Sequence, residues 1–286
     1  MRSGRRGPRL GSWWLPRTES GPRLGSRWLL GGLLIVALFT GIRWVRSQYV
    51  VPVLMYHEVD PRPIGESRLV VSPASFARQM AFLHDTGAHV VPLSEVIEAF
   101  RTGRRLHSRT VAITFDDGFR NVLTYAVPAL RRYRFPATMF LVTDWIGKGQ
   151  YMTWDEIRQL EQAGVTIGSH SVTHAWLPAL GDDALRRELI ESRQVLEKGL
   201  GHPVDLFCYP MGALDPRVKQ AVRAAGYRGA CATNPGRRSS RLDSHAIKRL
   251  RIWKNSDWLP VFWVETSGYY TWIKEHRKKK SASPGY

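Results

Sequence analysis

The chain has 286 residues, of which 43% are hydrophobic and 23% are charged. These are ordinary proportions for a globular protein, so they exclude a chain that is disordered throughout. Two cysteines are too few for a disulfide-stapled miniprotein, and the residues after position 46 are numerous enough to bury one large core.

The net charge of +18 is concentrated at the two ends of the chain. Residues 1–46 contain nine arginines and one glutamate, and residues 237–286 contain twelve basic and four acidic residues. A nucleic-acid-binding protein more usually carries basic side chains across its folded face. The distribution therefore indicates attraction to a membrane surface and no nucleic-acid partner.

An uncharged apolar run extends from Trp28 to Ile42, between Arg27 and Arg43. No small-residue cleavage site follows it, so we expect an uncleaved transmembrane anchor over 28–46 rather than a removed signal peptide. The arginines before the run predict a basic cytoplasmic tail at 1–27. The folded domain, expected at 47–265, would then lie outside the cytoplasmic membrane, in the periplasm or the extracellular space, followed by a basic C-terminal tail at 266–286.

From Tyr49 onward, β-rich runs alternate with helical patterns. Strands are predicted at 50–56, 89–91, 110–115, 137–142, 165–168, 204–209, 227–230 and 247–252. Helices are predicted at 73–86, 93–101, 122–133, 182–200 and 215–225, after the cap Thr153, and beyond residue 252.

Alternating strands and helices indicate parallel strands joined by right-handed crossovers. We therefore expect an α/β fold, a distorted (β/α) barrel of about seven units, with a doubly wound open sheet as the alternative. In either fold, functional residues are expected at the C-terminal ends of the strands.

Two adjacent carboxylates follow the strand at 110–115, in the sequence Thr114-Phe115-Asp116-Asp117-Gly118. Adjacent side chains point in different directions, so one carboxylate can bind a metal while the other remains free as a base. An Asp-Asp-Gly turn without chemistry is the alternative interpretation.

Two histidines four residues apart, His170 and His174, follow the strand at 165–168. If this segment is helical, both imidazoles lie on one face and reach the same ion. Two histidines and one carboxylate are a common ligand set for a catalytic divalent metal. Surface or capping histidines are the alternative, but the Asp116–Asp117 pair two strands earlier favours a metal site.

Two other strand ends are of interest. His57 follows the first strand, and the turn Tyr209-Pro210-Met211 follows the strand at 204–209 and could expose backbone N–H groups to an oxyanion. A surface histidine and an ordinary strand-to-helix turn are the alternatives. Cys208 and Cys231 either pair or remain two buried thiols, and both options stay open.

Together these motifs resemble those of the polysaccharide deacetylases of carbohydrate esterase family 4, the NodB-homology domain. TFDDG at 114–118 and HSxxH at 170–174 match the first two motifs of that family in order and spacing. PVLMYH at 52–57 and FCYPMG at 207–212 are similar to motifs of the biofilm poly-N-acetylglucosamine deacetylases. The resemblance covers about residues 50–255.

The resemblance implies metal-dependent hydrolysis of acetyl groups from N-acetylhexosamine units of a cell-envelope or extracellular polysaccharide. Asp116 would be the general base. A divalent metal, typically zinc, would be held by three residues: Asp117, His170 and His174. A biofilm deacetylase would be expected to act beside an exopolysaccharide synthase and an exporter.

The resemblance also implies that the turn Tyr209-Pro210-Met211 binds the substrate and that the N–H of Met211 stabilises the oxyanion. The third family motif usually supplies an arginine that orients the base, but Cys208 stands at that position, so we expect Arg251 to replace it from the last strand. The Leu-x-His acid of the family is not clearly present, and His57 is our candidate for it. These departures leave two alternatives, an O-acetyl esterase and a catalytically inactive metal- or glycan-binding protein.

Overall fold

The computed structural model describes residues 24–61, 69–233 and 242–276. The chain divides into two compact units, Met1–Ser47 and Gln48–Tyr286. The buried residues of the hydrophobic core all belong to the second unit. The second unit is therefore built around a core of its own.

Helix α1 (Leu24–Ser47) is the described part of the first unit, and its side chains from Leu33 to Phe39 are exposed. Among the described residues, no helix combines the length and hydropathy needed to cross a membrane. The helix expected within 28–46 is present, but the transmembrane anchor is not supported. Only fifteen uncharged residues separate Arg27 from Arg43, whereas a spanning helix uses about 17–25. Residues 1–23, most of the predicted cytoplasmic tail, lie outside the described residues.

The second unit contains eleven strands within the described residues. In chain order they are β1 (Val53–Tyr56), β2 (Glu58–Val59), β3 (Val70–Val71), β4 (His89–Val90), β5 (Thr110–Phe115), β6 (Ala137–Leu141), β7 (Val165–Ser169), β8 (Leu206–Cys208), β9 (Gly229–Ala232), β10 (Ile247–Lys248) and β11 (Leu250–Arg251).

The main sheet has the order β10-β9-β8-β7-β6-β5-β1-β11, and these neighbours pair in parallel. Strand β4 also pairs with β5, and β2 pairs with β3 in a separate small sheet. The two end strands, β10 and β11, are separated only by Arg249. One short segment therefore pairs with β9 on one side and with β1 on the other, which closes the sheet into a barrel. This confirms the (β/α) barrel over the open sheet.

Helices connect and cover the strands. They are α2 (Pro73–Asp85), α3 (Leu93–Thr102), α4 (Val127–Tyr133), α5 (Trp154–Gln162), α6 (Asp182–Leu200), α7 (Pro216–Ala224), α8 (Leu259–Thr266) and α9 (Tyr270–His276). Ser72 and Asp215 cap α2 and α7, and Thr153 forms a capping box with Glu156 at the start of α5. The helix predicted at 122–133 begins as a π-helical turn before α4.

The strands are buried on both faces, as parallel strands covered by helices are expected to be. Leu54, Ile113 and Met139 belong to the larger cluster, which packs with helix residues such as Phe76. Residues that alternate with them, such as Phe140, belong to a smaller cluster with Cys208 and Cys231. Strands β1, β5 and β6 therefore each contribute to two packed layers.

The domain continues through α9, beyond the boundary that we expected at residue 265. Lys248 donates a 2.5 Å hydrogen bond to Glu275, and these side chains are 2% and 4% exposed. This buried ion pair holds α9 against β10, so residues 266–276, which we expected to begin a basic tail, include a helix that packs on the barrel. Residues 277–286 lie outside the described residues.

Candidate active site

The C-terminal ends of four neighbouring strands bring the predicted functional residues together. His57 follows β1, Asp116 and Asp117 follow β5, the histidine motif follows β7, and the turn at Tyr209 follows β8. Since parallel strands end at the same mouth of a barrel, these residues converge although they are distant in sequence. The strand ends predicted from the sequence therefore form one site.

Asp116 is buried and forms a bidentate ion pair with Arg249. Nη1 and Nη2 of Arg249 donate to Oδ1 and Oδ2 of Asp116, both at 2.7 Å. Burial alone would raise the pKa of Asp116, but the charge and hydrogen bonds of Arg249 outweigh it and hold this pKa well below its ordinary range. Asp116 is therefore an oriented, ionised carboxylate.

The arginine that we expected to orient the base, Arg251, is replaced by Arg249. Arg251 is exposed at the end of β11, whereas the side chain of Arg249 is 1% exposed. Arg249 lies between β10 and β11, where it also donates to Cys208 Sγ at 2.9 Å and to Thr114 Oγ1 at 3.1 Å. The small thiol of Cys208 leaves room for a guanidinium that arrives from the closing strand.

The turn after Asp116 directs Asp117 toward the two histidines. Asp117 and Gly118 both have positive φ, 73° and 86°, and a Cβ on Gly118 would lie 2.7 Å from Leu141. Asp117 Oδ1 lies 3.6 Å from His170 Nε2 and 3.7 Å from His174 Nε2. The three predicted metal ligands are thus adjacent.

These residues fit a divalent metal. Asp117 Oδ1 is buried and has no hydrogen-bond partner among the described residues. Burial and then the neighbouring Asp116 raise the pKa of Asp117 to about 7, so a carboxylate here lacks a compensating cation. Burial lowers the pKa of His170 to about 3, which keeps its ring in the neutral form that binds metals.

A second group, Asp116 with His170 and Cys208, is also close enough to share an ion. Asp116 is already paired with Arg249, and burial raises the pKa of the Cys208 thiol well above its usual range. Metal binding requires a thiolate. The geometry therefore favours Asp117 with the two histidines.

The histidine motif is a loop, and the helical turn that we considered for it was wrong. Ser171 and His174 have positive φ, 69° and 61°, which a helix excludes. Ser171 Oγ accepts from the N–H of His174 at 3.0 Å. Glu188 on α6 accepts from the N–H groups of Val172 and Thr173 at 2.8 and 3.0 Å. These side-chain hydrogen bonds, rather than helical spacing, bring the two imidazoles to one point.

His57 lies close to Asp116. Its Nε2 is 4.0 Å from Asp116 Oδ2, and its Nδ1 is buried without a hydrogen-bond partner among the described residues. Burial lowers the pKa of His57 to about 4, so its ring is neutral at pH 7. The position of His57 is compatible with the role of general acid that we expected from the sequence.

The turn after β8 contributes a backbone group rather than the side chain of Tyr209. Tyr209 is fully buried, its N–H donates to Cys231 and its hydroxyl donates to the carbonyl of His245. The expectation that Tyr209 contacts substrate was therefore wrong. Met211 is 53% exposed with φ 55°, and Gly212 and Ala213 donate the hydrogen bonds of the turn. Pro210 has no N–H and fixes the turn, which leaves the N–H of Met211 as the candidate oxyanion donor.

The two cysteines are free thiols, which settles the alternative left open by the sequence. Cys208 and Cys231 are register partners on β8 and β9, and both are buried. Buried cysteines behave as small hydrophobic residues. Cys208 also accepts a hydrogen bond from Arg249, the partner of Asp116.

Comparison with known proteins points to the same family as the sequence motifs. The profile of the polysaccharide deacetylase family matches residues 103–230. YxkH of Bacillus subtilis (strain 168), a candidate polysaccharide deacetylase, is 27% identical over 211 residues, 73% of this chain and 74% of that protein. The poly-β-1,6-N-acetyl-D-glucosamine N-deacetylase of Escherichia coli (strain K12) is 24% identical over 144 residues, 45% of this chain and 21% of that protein.

The structure of the Streptococcus pyogenes deacetylase PplD, solved with acetate, superposes with a TM-score of 0.68. It is 26% identical, and the match covers 74% of this chain and 97% of that one. The barrel and its site thus define a hydrolase of the deacetylase type. More specifically, residues 103–230 match the polysaccharide deacetylase family, which confirms the resemblance and the enzyme class inferred from the motifs.

Proposed function

We propose that this protein removes acetyl groups from N-acetylhexosamine units of a cell-envelope or extracellular polysaccharide by metal-dependent hydrolysis. The observation that carries the proposal is the unpartnered, buried Asp117 Oδ1 between two histidines, next to a base that Arg249 holds ionised. The relative that acts on poly-N-acetylglucosamine supports the substrate class.

Asp117, His170 and His174 would hold the metal, and zinc is the ion we propose because neutral imidazoles and a carboxylate suit it. When bound, such an ion polarises a carbonyl and lowers the pKa of water. The protein supplies the geometry around it. Asp116, fixed by Arg249, accepts the proton of the attacking water.

Two further groups complete the reaction that we propose. The N–H of Met211 donates to the developing oxyanion, since the left-handed turn leaves it outside the hydrogen bonds of Gly212 and Ala213. His57 receives the proton from Asp116, 4.0 Å away, and passes it to the leaving amine. The products are acetate and a glucosamine unit.

A polysaccharide outside the cell as substrate would place the domain outside the cytoplasmic membrane, the location expected from the sequence. The alternative of an inactive binding protein rested on the missing arginine of the third motif. Arg249 supplies that guanidinium, so the reason for this alternative is removed.

The test is acetate release by the purified full chain from chitooligosaccharides, from β-1,6-linked N-acetylglucosamine oligomers and from an acetyl-ester reporter. Each is measured with added Zn²⁺, after chelation, and with Asp116→Asn and Asp117→Asn. Asp183→Asn is the matched control, because this carboxylate on α6 is 87% exposed.

We expect metal-dependent release from an N-acetyl oligomer that both site variants lose and the control keeps. Release from the ester alone would contradict N-deacetylation and favour the O-acetyl esterase. No release from any substrate by a folded, metal-bound protein would contradict the enzymatic proposal.

A further inference from the structure

The two metal-site histidines are oriented in different ways. His170 donates from Nδ1 to the carbonyl of Cys208 at 2.7 Å. This hydrogen bond fixes the ring and leaves Nε2 for a metal, as the hydrogen-bond partners of metal-ligating histidines usually do. His174 makes no ring hydrogen bond with any residue of the described chain. It is also more exposed, 22% against 3% for His170. Something other than a hydrogen bond must therefore orient its ring.

Trp145 supplies that contact. Its ring lies 5.3 Å from the ring of His174, at an angle of 32°. On the same indole, Tyr151 stacks at 4.7 Å and 28°. Trp145 thus contacts both Tyr151 and the proposed ligand His174, at ring distances that aromatic pairs favour.

The aromatic stack continues to the loop that carries the other ligand. Tyr151 packs at 5.1 Å on Phe119, with which it also forms an antiparallel bridge. Phe119 follows Gly118, whose carbonyl accepts from the N–H of Met152 at 3.0 Å. A continuous chain of contacts therefore connects the Asp117 turn, through the aromatic stack, to His174.

We propose that Trp145 is a positioning residue for the metal site: it holds the imidazole of His174 at the distance from Asp117 that a metal requires. This inference rests on the proposed metal-dependent function. Because the contact is steric and aromatic, a flat ring at position 145 preserves it and an aliphatic side chain does not.

The test measures metal binding directly. The dissociation constant for Zn²⁺ is determined by competition with a chromophoric chelator, and the absorption spectrum of the Co²⁺-saturated protein reports the ligand geometry. The full chain is compared with Trp145→Leu, Trp145→Phe and Tyr151→Leu. Trp263→Leu is the matched control, because this tryptophan of α8 is 60% exposed and does not contact the site.

We expect Trp145→Leu to weaken Zn²⁺ binding by about 10- to 100-fold, as loss of a residue that orients a metal ligand typically does, and to change the Co²⁺ spectrum. Trp145→Phe should stay close to the wild type, as should Trp263→Leu. Tyr151→Leu should weaken binding by a smaller factor, because Trp145 loses its rigid support. The melting temperature of each metal-free variant shows whether it is folded.

Wild-type zinc affinity and cobalt spectrum in Trp145→Leu would overturn the inference, and a loss of acetate release alone would then make Trp145 a sugar-contacting residue. If Trp145→Leu does not fold, the zinc affinity and cobalt spectrum of Tyr151→Leu are measured instead. Wild-type values in that variant would overturn the inference. Failure of the wild type to bind Zn²⁺, or equally tight binding by Asp117→Asn, would contradict the proposed function itself. The two kinds of failure are therefore distinguishable.

Discussion

Arg249 donates two 2.7 Å hydrogen bonds to the two oxygens of Asp116, a residue 133 positions earlier in the chain. Both side chains are almost completely buried, with exposures of 1% and 3%. A buried carboxylate without a partner would be costly, and a guanidinium fork is the best geometric match for it. The residue at the point where the barrel closes is therefore also the residue that orients Asp116, the base that we propose.

The loop that presents His174 depends on Glu188. Replacing Glu188 by alanine removes the acceptor of the Val172 and Thr173 N–H groups and of the Thr173 hydroxyl, which donates at 2.7 Å. Val172 is half-buried and Thr173 is exposed, so water replaces part of what is lost, and the loss of these hydrogen bonds to a charged group costs about 1–3 kcal/mol. We expect Glu188→Ala to lose about this much free energy of unfolding in urea titration and to bind Zn²⁺ more weakly. Glu191→Ala, an exposed position of the same helix, should match the wild type. Equal stability of both variants would contradict the role of Glu188.

Glu265 on α8 should make the domain less stable at alkaline pH. It is 4% exposed, and burial raises its pKa from 4.5 to about 7. The folded state thus holds a proton that the unfolded state has lost, so stability falls as pH rises from about 4.5 to 7 and stays reduced above that. We expect Glu265→Gln to remove this loss, with a gain of about 2–3 kcal/mol over the wild type at pH 8. Urea titrations at pH 4.5 and pH 8 measure it. An equal difference between the two proteins at both pH values would argue against a shifted pKa.

Cys208 and Cys231 should be protected thiols. Both are fully buried, and burial raises the pKa of each above its usual range, so few thiolates are available to react. We expect a chromogenic disulfide reagent to label neither cysteine in the native protein and both in denaturant. Finding no thiol in the denatured protein without reductant would show a disulfide and contradict the structure.

Much of the site could be predicted from the sequence, because the proposed metal ligands follow directly after strongly apolar strands. The apolar run before Asp116 indicates a buried strand, and His170 and His174 both follow the end of another predicted strand. The barrel followed from the alternation of strands and helices. These are local signals, and the topology brings them together.

The rest depends on contacts that no local pattern contains. Arg249 and Arg251 are two residues apart, so their side chains would lie on the same face of a regular strand. The sequence therefore does not show which of them enters the barrel. That choice depends on where the last strand changes partners between β9 and β1. The loop at His174 likewise depends on Glu188, fourteen residues later. Two features of the sequence could have indicated Arg249. It stands next to the point where the barrel closes, and a small residue occupies position 208.

In the mechanism that we propose, Arg249, and not Arg251, orients the base Asp116. The most direct test compares the kcat for acetate release from an N-acetylglucosamine oligomer in Arg249→Lys and Arg251→Lys, with zinc saturating and folding checked by melting temperature. Lysine keeps the charge but lacks the fork that holds both carboxylate oxygens. We predict that Arg249→Lys lowers kcat by about 100-fold or more, the scale of general-base catalysis, and that Arg251→Lys has an effect at least ten times smaller. An unchanged kcat in folded Arg249→Lys, or an equal loss in Arg251→Lys, would contradict the account.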